Sequence, residues 1–172
     1  YTGADITTDI LTASGTVAIV TEVTDTRGHK ATLTQNITVI AYTPPQILTF
    51  SAIRGDAAGA AQDEGANANI RMNFAIAPVS NKNTKTYLIE YKTAASSTWT
   101  ELTSGSVYSY NSNYISSAVF SPDYTYDLRL TISDYFVTVS AKYQLPTAYT
   151  LLDFRHTGKG LSVGKVSERD IF

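Results

Sequence analysis

The chain contains no cysteine, one methionine, one tryptophan and five prolines among its 172 residues. Without cysteine there is no disulfide framework and no thiolate metal site, so stability has to come from packed apolar faces. Charge is scarce as well: Asp, Glu, Lys and Arg make up 16% of the chain, and the formal net charge is -2. That excludes the dense cationic surface on which counterion-release binding to nucleic acid depends. Apolar runs stay short, as at Val17 to Val20. No segment approaches the roughly 20 apolar residues of a membrane span, and no charged region precedes an apolar leader.

What is present is β-forming. Threonine and serine dominate the polar residues and tyrosine is abundant at twelve, the composition of strands with one solvated face. From Gly15 to Asp25, Val17, Ile19 and Val23 share one face and Glu22 and Thr24 the other. Asp25-Thr26-Arg27-Gly28 is a turn, and Leu33, Ile37 and Val39 then alternate with Thr32, Thr34 and Thr38, which predicts an antiparallel hairpin. A lone hairpin is marginal in water, so residues 1–43 read as the closing part of an incomplete sandwich.

Thr43-Pro44-Pro45 interrupts any ladder and sets the expected boundary. Residues 44–145 then carry seven short strand signals. They are Ile47 to Arg54, Ile70 to Ile76, Tyr87 to Lys92, Trp99 to Leu102, a Tyr/Ser/Asn-rich stretch within Val107 to Val119, Tyr126 to Ile132, and Phe136 to Tyr143. Gly55 to Asn69 is small, polar and aperiodic, which predicts a flexible loop. Seven strands spaced by turn signals is the count of an immunoglobulin or fibronectin type III sandwich, so the fold class is all-β, with tandem sandwiches. Residues 146–172 form a further hairpin, Ala148 to Phe154 and Leu161 to Val166, turning at Thr157-Gly158-Lys159-Gly160. Its Tyr149, Leu151, Leu152, Phe154, Leu161, Val163 and Val166 call for a partner, either the second sandwich or further copies of the chain; self-association is favoured, as a homotrimer in which three hairpins bury one another around an axis.

Catalytic and cofactor signatures fail on spacing. Between Gly160 and the Gly164-Lys165 pair lie three residues where a phosphate loop needs four, and Val163 stands where the dinucleotide fingerprint needs its third glycine. His29 and His156 flank glycine turns without a partner at metal-ligand spacing, and no serine sits in a nucleophile elbow. Asp25, Asp123 and Asp134 occupy turns, where capping accounts for them. Asp56, Asp63 and Glu64 share a loop that offers oxygens for Ca²⁺, in a spacing that matches no loop signature. The expectation is therefore a protein that is not an enzyme, with no cofactor and no metal. Tyr108, Tyr110 and Tyr114, interleaved with Ser109, Asn111, Ser112 and Asn113, form the one stretch with the chemistry of an adaptable recognition surface, and are the expected glycan contacts.

Two resemblances rest on particular residues. Tyr87-Leu88-Ile89-Glu90-Tyr91-Lys92 with Ser97-Thr98-Trp99-Thr100-Glu101-Leu102, and Ser121-Pro122-Asp123-Tyr124-Thr125-Tyr126, resemble the C, C′ and F strands of a fibronectin type III domain. That resemblance implies a tyrosine corner at Tyr126. Met72 and Phe74 stand in a B strand without the tryptophan usual there. The order of Gly15 to Gly28, Tyr42-Thr43-Pro44-Pro45, Ala148 to Phe154 and Gly158 to Val166 is similar to the minor structural proteins of tailed phages infecting Gram-positive bacteria, siphophage tail-tip or tail-fibre polypeptides. This implies a virion component that joins other tail proteins and helps attach the particle to a host cell-surface polysaccharide. The alternative is an adhesion or accessory module of a bacterial surface or secreted protein, which the sandwich pattern would serve equally well.

Overall fold

The computed structural model describes residues 7, 11, 13–148, 152–154, 159 and 161–163. All regular structure among them is β, and no helix is long and apolar enough to cross a membrane. The chain divides into two compact units, one of residues 1–43 with 78–82, the other of residues 44–77 with 83–172.

In the first unit, strand β1 (Gly15–Thr24) pairs antiparallel with β2 (Lys30–Val39) in unbroken register, from Gly15 opposite Val39 to Thr24 opposite Lys30. Directly opposed residues share a face, so Val17, Ile19, Thr21 and Val23 stand opposite Ile37, Gln35, Leu33 and Ala31 on one side. Glu22, Thr24, Lys30 and Thr32 lie on the other, where Lys30 donates to Glu22 at 2.6 Å. The reversal is made by Asp25, whose Oδ1 accepts the N–H groups of Arg27 (2.8 Å) and His29 (2.9 Å), with Gly28 at φ 86°.

The second unit is a sandwich of three strands on four. Strands β3 (Gln46–Gly55), β4 (Asn67–Ala75) and β7 (Ser109–Ile115) form one sheet, with β4 central. Strands β6 (Thr100–Gly105), β5 (Thr86–Thr93), β8 (Tyr126–Ser133) and β9 (Thr138–Leu145) form the other, in that order. This is the all-β sandwich expected, with seven strands and the crossovers of an immunoglobulin and fibronectin III type of fold. Period-two alternation puts Ile70, Met72, Phe74 and Ile76 against Ile89, Leu128, Leu130 and Ile132, with Phe120 sealing the end of the core. Fully burying each such side chain contributes about 1.5–3 kcal/mol.

Two expectations are corrected here. The segment from Gly55 to Asn69 is tied down rather than loose: Gly55 bridges to Ala61, and Asp56 Oδ1 accepts the N–H groups of Ala58 and Ala60 at 2.9 and 3.0 Å. At Gly65 the backbone of Gly55 comes so near that a Cβ would stand 2.3 Å from its carbonyl oxygen, so glycine here permits a close approach rather than freedom. The last strand begins at Thr138 instead of Phe136, because Asp134 holds residues 134–137 in a turn.

Beyond the sandwich, β10 (Leu152–Phe154) and β11 (Leu161–Val163) pair antiparallel, the hairpin expected at that position. The side chains on which its assembly role was argued, and His156, lie outside the described residues.

Candidate functional site

The tyrosine-rich stretch folds as β7 and the turn before it, and β7 pairs Tyr110 with Phe74 and Tyr114 with Ile70. Those partners point into the core, so the tyrosines do too. Tyr110 stacks on Phe74 with centroids 6.0 Å apart and planes 14° apart, and lies 6.1 Å from Tyr87. Tyr114 Oη donates to the Leu102 carbonyl at 3.4 Å. Burial, with Tyr110 and Tyr114 nearby, pushes the Tyr87 phenol above its usual range. Tyr108 is held by its Oη donating to the Asn83 carbonyl at 3.0 Å, with Lys85 Nζ 3.8 Å above its ring. The structure thus gives these three rings a packing role. The exposed residues of β7 are Ser109, Asn111, Ser112, Asn113 and Ile115.

Tyr108 nonetheless leads to a displayed feature. The Asn83 it supports donates from Nδ2 to the Ala77 carbonyl (2.8 Å) and to Asp134 Oδ2 (3.1 Å), while Asn83 Oδ1 accepts the Tyr135 N–H at 3.2 Å. Asp134 Oδ1 in turn accepts the N–H groups of Phe136 (2.8 Å) and Val137 (2.7 Å). On this braced turn between β8 and β9, Tyr135 and Phe136 are 75% and 63% exposed, their rings edge-to-face at 5.0 Å. Large aromatic faces held in place before binding are what protein and sugar interfaces use as anchors. Sequence periodicity missed the pair by placing Phe136 in a strand. The signal available was Asp followed by two adjacent aromatics, since an alternating strand could bury only one of them.

Other candidates are already satisfied. Arg54, 7% exposed, donates all five N–H groups to backbone carbonyls: Pro146 (2.9 Å), Phe120 (2.8 Å), Gly65 (3.3 Å), Ser121 (3.2 Å) and Tyr124 (2.9 Å). Burial lowers its pKa from the ordinary arginine value. A cavity of about 380 Å³ beside it, lined also by Gln62, Asp63 and Tyr143, therefore gains no free guanidinium donor from Arg54. Nearby, Tyr126 Oη accepts the Ser121 N–H at 3.1 Å, the contact of a tyrosine corner.

On the outer face of the four-stranded sheet, Trp99 lies 4.3 Å from the Arg129 guanidinium, which is bound to Glu90 at 2.9 and 2.6 Å. Lys92 pairs with Asp127 at 2.9 Å, and that hydrogen bond, with a further one from Gln144, holds the Asp127 carboxyl below its usual range. The Asp25 carboxyl is likewise low, through its hydrogen bonds from His29 first. Asp56, Asp63 and Glu64 are not brought together: among the described residues no three His, Cys, Asp or Glu side chains form a group able to hold a metal.

No curated protein matches the sequence. Among solved structures the chain is similar to the crystal structure of domains A168–A170 from titin, at 12% identity and a TM-score of 0.38. That match covers 88% of this chain and 41% of the titin chain, so this chain spans less than half of its length. A family model described as siphovirus protein of unknown function (DUF859) matches residues 3–171, and with almost its whole length inside that match the chain belongs to this siphovirus protein family.

Proposed function

We propose that the chain is a non-enzymatic component of the phage virion, placed in the tail, that joins other tail proteins and contributes to attachment to the host cell surface. Membership in a siphovirus family supports the phage setting. The observation that carries attachment is the braced display of Tyr135 and Phe136, because an exposed aromatic pair on a rigid turn gives up little entropy when a partner covers it. Host surfaces of Gram-positive bacteria, presenting many copies of a polymer, suit a weak contact repeated on each virion. A homotrimer would supply that repetition and keeps the arrangement expected of the C-terminal hairpin.

Immunogold labelling of intact virions with antibody to the chain is expected to mark the tail, and the purified chain is expected to slow phage adsorption. Tyr135→Ala with Phe136→Ala should abolish that competition. Absence of gold from virions, or release of soluble sugar from host cell walls by the purified chain, would overturn the assignment. Sedimentation of the chain at high concentration is expected to give the mass of a trimer.

A further inference from the structure

We propose that the outward face of the four-stranded sheet is a contact between two copies of the chain, related by a two-fold axis running along the strands between β5 and β8. Alternation along β8 turns Asp127 and Arg129 outward, since Tyr126, Leu128 and Leu130 are buried. The register then sets two charged rows across the sheet, Glu101–Glu90–Arg129–Lys142 and, one row along, Lys92–Asp127–Gln144. The first row is acidic on β6 and β5 and basic on β8 and β9.

Within one chain these charges are only partly matched. Arg129 pairs with Glu90 at 2.6 Å and Lys92 with Asp127 at 2.9 Å. Glu101 accepts the Ser104 hydroxyl at 2.8 Å but has no cation at ion-pair distance, and Lys142 has no carboxylate, among the described residues. Both are exposed, on opposite edges of the sheet. Three strand spacings, about 14 Å, keep them from pairing with each other. Trp99 lies on the same face, its ring 4.3 Å from the Arg129 guanidinium, 5.4 Å from Lys92 Nζ and 6.0 Å from Lys142 Nζ. The face therefore has an aromatic anchor among its cations, the kind of residue on which protein interfaces centre.

A second copy is the occupant that fits this pattern. Turning the face over about the stated axis exchanges β6 with β9 and β5 with β8, while each row stays opposite itself. Glu101 of one copy then meets Lys142 of its partner, Glu90 meets Arg129, and Lys92 meets Asp127, so every charge in the two rows faces its opposite. An axis across the strands also sets Glu90 against Lys92, but it places Lys142 over Gln144 and leaves that charge unmet. Sheets packed face to face lie about 10 Å apart and are rotated by about 30°, within reach of side chains of this length. Exposed ion pairs are individually weak, so the contact belongs where copies are crowded, as they would be on one virion. Its two-fold symmetry and its surface both separate it from the three-fold contact expected of the C-terminal hairpin.

Two experiments on the full chain test the pairing. The protein has no cysteine, so Glu101→Cys with Lys142→Cys introduces its only thiols. Within one chain they stand farther apart than the roughly 4.4–6.8 Å between Cα atoms that a disulfide spans, so mild oxidation joins them only between copies. A covalent dimer on a non-reducing gel is expected, because a two-fold contact closes once both disulfides are made. Each single cysteine variant should stay unlinked, since the axis sets like positions about 14 Å apart. A ladder of trimers and longer species, linking as fast in the single variants, or no linking at all overturns the proposal. In the second experiment the ¹⁵N indole signal of Trp99, the one tryptophan, is expected to shift between about 0.05 and 1 mM protein, for a dissociation constant on the order of 1 mM. Lys142→Glu and Glu101→Lys should each abolish that shift with backbone signals elsewhere unchanged. Mixing the two variants should restore it, because each charge again faces its opposite, and a mixture that stays silent overturns the two-fold contact. Absence of gold from virions would remove the setting and leave both results in place.

Discussion

The β1–β2 hairpin and the sandwich obey the same local rule and end in opposite states. Both alternate apolar and polar residues, and both run in antiparallel register over most of their length. Yet Val23 and Leu33 on the apolar face of the hairpin are 56% and 67% exposed, whereas Ile70 and Leu130 are fully buried. Alternation decides which face a side chain takes; burial needs a second layer opposite that face, and only the sandwich has one among the described residues. Among the described residues, the packing that stabilises the chain is therefore concentrated in residues 44–145.

The largest effect expected from that contrast is Phe74→Ala, which removes a ring packed on Tyr87 and Tyr110 and should cost about 3–5 kcal/mol in urea denaturation. Leu33→Ala, a truncation of a large apolar side chain on the hairpin, should change the same transition by less than about 0.5 kcal/mol. A similar loss from both would erase the distinction. Next comes Arg54→Met, which strips five carbonyls of their donor and should cost about 3 kcal/mol by the same measurement. Arg54→Lys should recover less than half, since an ammonium has three donors and no planar fork. Smaller again is Tyr126→Phe, expected at about 1 kcal/mol for the bond to the Ser121 N–H.

The smallest effects separate two aspartates. Asp127 in the sandwich and Asp25 in the hairpin both have depressed pKa values. A carboxyl depressed in the folded state stabilises above its unfolded value, near 3.8, and that contribution disappears as pH falls through the lower folded value. Asp127→Asn should thus lower sandwich stability at pH 7 by under about 1 kcal/mol and flatten its acid limb, read from melting temperature between pH 7 and 2. Asp25→Asn should leave that limb unchanged. An equal flattening from both would show the two units to unfold as one.

The strands of the sandwich were legible because alternation is a local property: Ile70 to Ile76 and Tyr126 to Ile132 appear where expected, and so does the hairpin turn at Asp25. The candidate site was less so. In the Tyr108 to Tyr114 stretch either the tyrosines or the asparagines had to face inward, and that choice is made by Phe74 and Ile70 on a strand some 40 positions earlier, as in the bond from Arg71 to Asn111. Arg54 looked like an ordinary end to a strand, because its five acceptors come from three separate segments. Tyr135 and Phe136 were hidden by a turn whose brace is Asn83, far away in sequence.

The Arg54 contacts also impose an order in time. Its acceptor at Pro146 is synthesised 92 residues after it, and β8 and β9 emerge only just before. At roughly 5–20 residues per second on a bacterial ribosome, the guanidinium and the apolar rows of β3 and β4 wait on the order of ten seconds before the other sheet is available to cover them. During that interval Ile70, Met72 and Phe74 face water on an incomplete sheet whose edges are open to other nascent chains. Yield of soluble protein should then depend on translation speed and holding chaperones more than on the stability of the finished fold.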